Sequence, residues 1–301
     1  MTSFLGERAQ SPLSALWLDP PDDLIHPART LPQAIPSSGV NLNAVLYQAG
    51  GPGPHPTALL LHGLPGNEQN LDCAQALRRS RCNVLTIHYR GSWGNPGNFT
   101  IANCLSDAAA ALEWLQDTNC RGFRIDRKRI VVVGHSMGGF VAAHLASEKA
   151  GVLGTAMISG VDFETVFGGR DAEHASEIVD DNVGFSAGLH ILAGTSREKL
   201  AAEARRNAGR WSLPGYASGL AGRPLFIATA DDGFALGSAL LADAVLALDG
   251  EKLARAHFAT DHSYSNCRIE LQSRLLLWLA TAIVRPSSCA NGVALTDSDR
   301  G

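Results

Sequence analysis

The sequence predicts an α/β protein: a mostly parallel, twisted sheet of about eight strands with helices on both faces. Three observations carry this. Short, continuous apolar runs recur at residues 57–61, 84–87 and 130–133, the pattern of strands covered on both sides. Ile101, Leu105, Ala108, Leu112 and Leu115 recur at helical spacing behind Thr100, a predicted N-cap. The two patterns alternate along most of the 301 residues, as βαβ units do.

The elements follow in order. Residues 1–30 hold Pro12, Pro20, Pro21 and Pro27 without sustained periodicity and are read as an irregular arm. A strand is expected at 40–47, behind a Ser38-Gly39 turn. The run Gly50-Gly51-Pro52-Gly53-Pro54 then breaks the chain. It precedes a strand rather than a helix, so it is a loop and no nucleotide cradle. Strand 57–61 leads to a helix at 67–80, and strand 130–133 to a helix at 137–148. Strand signals return at 151–158, 224–229 and 253–260, before a last helix at 266–284 with Leu271, Leu275, Trp278 and Leu279 on one side.

Between 161 and 222 the alternation lapses. This stretch is richer in charge and reads as helices, with a Thr195-x-x-Glu198 capping box ahead of Leu200 and Gly209 as a stop. It is expected to be a helical cap inserted after the sixth strand, over the site. The core is then 31–160 and 223–284, and 285–301 a polar, frayed tail.

Composition narrows the function. Lysine and arginine number 25 against 29 acids, a net charge of −4, which argues against a nucleic-acid binder or a polybasic membrane-surface protein. No apolar run reaches the roughly 18 residues of a membrane span. The start, with Glu7 and Arg8 and no apolar block behind them, does not read as a secretory signal. Cysteines 73, 82, 104, 120, 267 and 289 are scattered and never spaced as CxxC, so reduced thiols and a cytoplasmic location are expected, with no metal and no cofactor. Oligomeric state is not readable.

The informative segment is Gly134-His135-Ser136-Met137-Gly138-Gly139, between a buried strand and an Ala-rich helix. That is G-x-S-x-G in the strand-to-helix setting that gives it meaning. A serine there is held in a strained turn, its hydroxyl above the sheet and a helix N-terminus behind it favouring developing negative charge. The other distinctive segments are His62-Gly63-Leu64-Pro65-Gly66 and His88-Tyr89-Arg90-Gly91-Ser92-Trp93-Gly94, each behind a strand. On these three segments the chain resembles the α/β-hydrolases over about residues 31–284. Among them it is most similar to compact serine hydrolases related to the prolyl-oligopeptidase catalytic domain and the dienelactone hydrolases.

The resemblance implies Ser136 as nucleophile and two backbone N–H groups as an oxyanion hole. One would be on Met137, after the serine; the other on the 62–66 loop. Pro65 has no N–H, and Leu64 before it is pushed to an extended backbone, so Leu64 is the expected second donor. His62 is expected to be structural, holding that turn.

A serine nucleophile needs a base, and the base an orienting acid, in the chain order Ser, Asp or Glu, His. His262, between the last strand and the last helix, fits. His257 lies within a strand, His174 and His190 in the cap, and His135 adjoins the serine and must point elsewhere. The acid is expected in Ala230-Asp231-Asp232-Gly233-Phe234. The resemblance favours Asp231, with Asp232 as the alternative; Asp261 adjoins the base, and adjacent side chains diverge.

The expected reaction is hydrolysis of an ester of a small to medium acyl group, with thioesters and small amides open. Only 56 residues precede Thr57, too few for the propeller that filters oligopeptidase substrates. Trp93 and Phe234 are candidates for the pocket, and Arg90 is expected to pair with an acid such as Asp107. Two alternatives remain: an acyltransferase or cyclising thioesterase using the same acyl-serine, and a non-catalytic binding protein on this fold.

Overall fold

The computed structural model describes residues 11–117, 122–181 and 186–283. An eight-stranded sheet runs through it in the order β1 (Arg29–Ser37), β2 (Val40–Gln48), β4 (Asn83–Ile87), β3 (His55–Leu61), β5 (Ile125–His135), β6 (Val152–Ile158), β7 (Leu225–Ala230), β8 (Leu253–Phe258). β2 pairs antiparallel with β1 and β4; all other pairs are parallel. The edge strand β1 has no counterpart among the strands read from sequence. Pro32 and Pro36 obscure its period, and an edge is where a strand tolerates proline.

The pleat sorts the central strands into two cores. Leu59, Leu61 and Val132 face one side, with α2 (Ile101–Gln116), α3 (Met137–Glu148) and α8 (Ala235–Leu246). Ala58, Leu60, Val131 and Val133 face the other, with α1 (Leu71–Arg79) and α9 (Arg268–Ile283). α1 starts later than the sequence suggests, because Asn70 adopts a left-handed backbone, φ 55°, just before it. Thr100 caps α2 as expected, its Oγ1 accepting from the Asn103 N–H at 3.0 Å.

Between the sixth and seventh strands lie α4 (Phe163–Phe167), α5 (Ala172–Asp181), α6 (Arg197–Asn207) and α7 (Ala217–Leu220), joined in part by 3-10 turns. The cap of α6 is Ser196, not Thr195: Ser196 is extended and its hydroxyl accepts from the Lys199 N–H. Gly209 lies inside a 3-10 turn that continues to Trp211 rather than ending the helix. Buried Glu203 ties this insert down. Its carboxylate oxygens accept from the Ile101 and Ala102 N–H groups at 2.9 Å each, the open donors at the start of α2.

Among the described residues Cys73, Cys82, Cys104 and Cys267 are unpaired, while Cys120 and Cys289 lie outside them. The sequence start and the tail at 285–301 also lie outside. No described helix is long and apolar enough to cross a membrane.

Strand register sets the functional end of the sheet. Leu61 is level with Gly134, and His135 with Ile158. Ile158 is level with Ala228, and Ala230 with Phe258. The segments leaving these strands therefore emerge side by side at the carboxyl edge, where open α/β sheets bind ligands.

Candidate active site

Ser136 lies between the end of β5 and the start of α3 with φ 59° and ψ −125°, a conformation that L-residues rarely adopt. Surrounding backbone holds it there: the Ser136 N–H donates to Ile158 O at 2.9 Å, and Ser136 O accepts from the N–H groups of Gly139 (2.9 Å) and Val161 (3.2 Å). Only glycine fits at 134 and 138. A Cβ on Gly134 would lie 1.9 Å from Gly138 O, and one on Gly138 2.3 Å from Leu61 O. Gly63 lies over the serine, where a Cβ would come 2.7 Å from Ser136 Cβ. The Ser136 hydroxyl is buried and has no hydrogen-bond partner among the described residues.

The imidazole of His262 donates through Nδ1–H to Asp232 Oδ2 at 2.8 Å. The Asp232 side chain is 2% exposed and that of His262 33%. Burial works against the charged carboxylate, yet hydrogen bonds from His262, the Ser159 hydroxyl and the Phe234 N–H together hold Asp232 below its ordinary value. Ser159 also pairs with the phenol of Tyr264 at 3.0 Å, so a buried hydroxyl pair backs the carboxylate. The His262 ring packs against those of His135, centroids 4.8 Å apart, and Phe234, 5.1 Å. No hydrogen bond joins it to Ser136. Such contacts are often open in unliganded sites and close around substrate.

The carboxylate that meets His262 is thus Asp232, and the preference for Asp231 is corrected. Asp231 points to the other side and accepts from His257 Nε2 at 3.1 Å, with both side chains exposed. The strand period explains this. Ile227 and Thr229 share a face of β7, Thr229 is level with His257 and bonded to it, and Asp231 continues that face. Asp261 binds the Ser265 N–H instead of the base.

Leu64, Ile101, Met137 and Phe234 line a narrow cavity of about 30 Å³. The insert supplies more of its wall, including Phe163, Phe167 and Leu200, and every described side chain that lines it is apolar. Phe163 and Phe167, one helical turn apart, stack at 5.8 Å. Their i, i+4 spacing was the available sequence signal for this wall. Met137 is the first residue of α3, where an N–H has no acceptor within the helix.

Trp93 is not part of this cavity wall. Its indole donates to Pro65 O at 3.1 Å and its ring lies 6.0 Å from that of His88, so it braces the 62–66 loop from outside. His62 braces the same loop from inside, its Nδ1–H donating to Gly63 O at 2.7 Å. Burial lowers its pKa to about 4 and keeps it neutral. Arg90 pairs with buried Asp107 at 2.7 Å, a structural contact. No group of three or more potential metal ligands occurs among the described residues.

The model of the alpha/beta hydrolase family matches residues 58–279, most of the chain and all of the segments just described. The chain belongs to this family. It is 35% identical over 104 residues to an uncharacterized protein of Mycobacterium tuberculosis, covering 34% of this chain and 35% of that one. To an alpha/beta hydrolase domain-containing protein of Arabidopsis thaliana it is 33% identical over 115 residues, 38% of this chain and 36% of that one. These matches span about a third of each relative's length. Among solved structures, the thermostable carboxylesterase EstE1, cloned from a metagenomic library, superposes with a TM-score of 0.62 at 23% identity, covering 90% of this chain and 91% of that one. At that identity the likeness is one of fold.

Proposed function

We propose that this family member is a serine hydrolase that cleaves esters of short, uncharged acyl groups through an acyl-Ser136 intermediate. The observation that carries the reading is the Asp232–His262 pair, its carboxylate shielded, set against the residue preceding a strained serine whose hydroxyl has no hydrogen-bond partner among the described residues. His262 Nε2 takes the proton from Ser136 as the hydroxyl attacks the acyl carbon. Asp232 fixes the ring's tautomer and stabilises the imidazolium that forms. The N–H groups of Leu64 and Met137 hold the oxyanion, each donor contributing about 10²–10³ in rate. His262 returns its proton to the leaving alcohol, and water, activated by the same ring, releases the acid. The narrow cavity, apolar at every described lining residue, supports a short aliphatic acyl group over a long or charged one.

The test is a series of acyl esters of graded chain length, with thioester and anilide analogues, run on wild type and Ser136→Ala. Short-chain esters should turn over fastest, and Ser136→Ala should lower kcat by roughly 10⁴–10⁶ with folding intact. Near-normal turnover in that variant overturns the assignment. A fluorophosphonate probe should label Ser136 in the wild type alone.

A further inference from the structure

We propose that His135 is a positioning residue for the base, acting through the main chain of His262; this rests on the roles given above to Ser136 and His262. The pleat places it. Val131 and Val133 face the side of the sheet covered by α1 and α9, and His135 is the next residue on that face. The segment carrying His262 leads into α9 on the same side. His135 Nε2–H donates to the His262 carbonyl at 2.8 Å, and the two rings pack at 4.8 Å.

Asp232 controls only the rotation of the His262 ring, and it comes from the segment after β7 rather than from the elbow. The acid is already linked to the elbow through the end of β6, where the Ser159 hydroxyl bonds Asp232 and Ile158 O accepts from the Ser136 N–H; the base needs a tie of its own. His135 supplies that tie, because it is bonded directly to Ser136 in the chain. It is 4% exposed, and burial lowers its pKa to about 3, so the ring stays neutral at working pH. A neutral ring has one N–H, and a carbonyl accepts only from that nitrogen, so the proton resides on Nε2.

The test compares His135→Phe, which keeps ring volume and loses the donor, with His135→Gln, whose amide restores one. On the best ester of the series, His135→Phe should lower kcat by about 10- to 100-fold, the scale of a small misplacement of a reacting group. KM should change less than about twofold, and His135→Gln should recover most of the loss, because binding is untouched and only the donor matters. A kcat for His135→Phe within twofold of wild type overturns the proposal, as does His135→Gln being no better than His135→Phe. Should His135→Phe not fold, nitrogen-15 histidine spectra of the wild type decide. A slowly exchanging Nε2–H on neutral His135 supports the tie, and an Nδ1–H tautomer overturns it. The reading of the site fails separately: there, Ser136→Ala would keep wild-type turnover.

Discussion

Asp231 and Asp232 are chain neighbours, and each meets a histidine, yet they make opposite kinds of pair. The Asp232–His262 carboxylate is 2% exposed and receives three hydrogen bonds. The Asp231–His257 pair is 63% and 55% exposed at the far side of the same strand end. Water screens the second pair, which leaves it within the small range of surface ion pairs, about 0–1 kcal/mol. The carboxylate of the first is shielded, so on the proposed reading its geometry and charge pass to the ring that needs orienting. Composition is identical in the two; burial and strand face separate them.

Asp232→Asn should break the buried pair with the largest effect. An amide in place of the carboxylate favours the wrong ring tautomer, and kcat for ester cleavage should fall by about 10⁴ with little change in melting temperature. A loss under tenfold would remove Asp232 from the mechanism.

Acid titration sharpens the contrast at intermediate size. His62 and His135 have folded pKa values of about 4 and about 3, below the unfolded 6.5, so between those limits the unfolded chain binds more protons. Stability should therefore fall as pH drops below about 6.5, with a slope of up to about 1.4 kcal/mol per pH unit for each ring. Asp232, also lowered, adds stability that is present above its unfolded value and lost as pH falls through its folded one. Denaturant midpoints from pH 7 to 4 measure this, and His135→Phe should show a shallower slope than wild type. The smallest effect is expected from Asp231→Asn: kcat within about twofold and stability within about 0.5 kcal/mol, as for an exposed pair. A tenfold loss of kcat there would reverse the assignment of the two aspartates.

Much of the scaffold was legible because its signals are local. Gly134 and Gly138 around Ser136 mark a turn that other residues cannot make, and the apolar runs at 57–61 and 130–133 mark buried strands. The Asp231/Asp232 choice was less legible, since adjacent loop residues share composition and differ only in direction. Carrying the two-residue period of β7 one step past its end separates them, with 227, 229 and 231 on one face. Trp93 was ambiguous for a different reason: an aromatic side chain near a site line reads the same whether it lines a pocket or braces a loop. Ser159 and Tyr264 left no signal, because their pairing spans 105 residues and depends on two loops meeting.

Leu64 and Met137 line the cavity, while the chemistry proposed above asks only for their peptide N–H groups. On the proposed reading, recognition and rate enhancement are thus written on different atoms of the same residues. A change of side chain there re-cuts the room offered to the acyl tail and leaves the main-chain donors in place. Acyl preference in the proposed hydrolase would accordingly be free to drift, or to be redesigned, at these two positions.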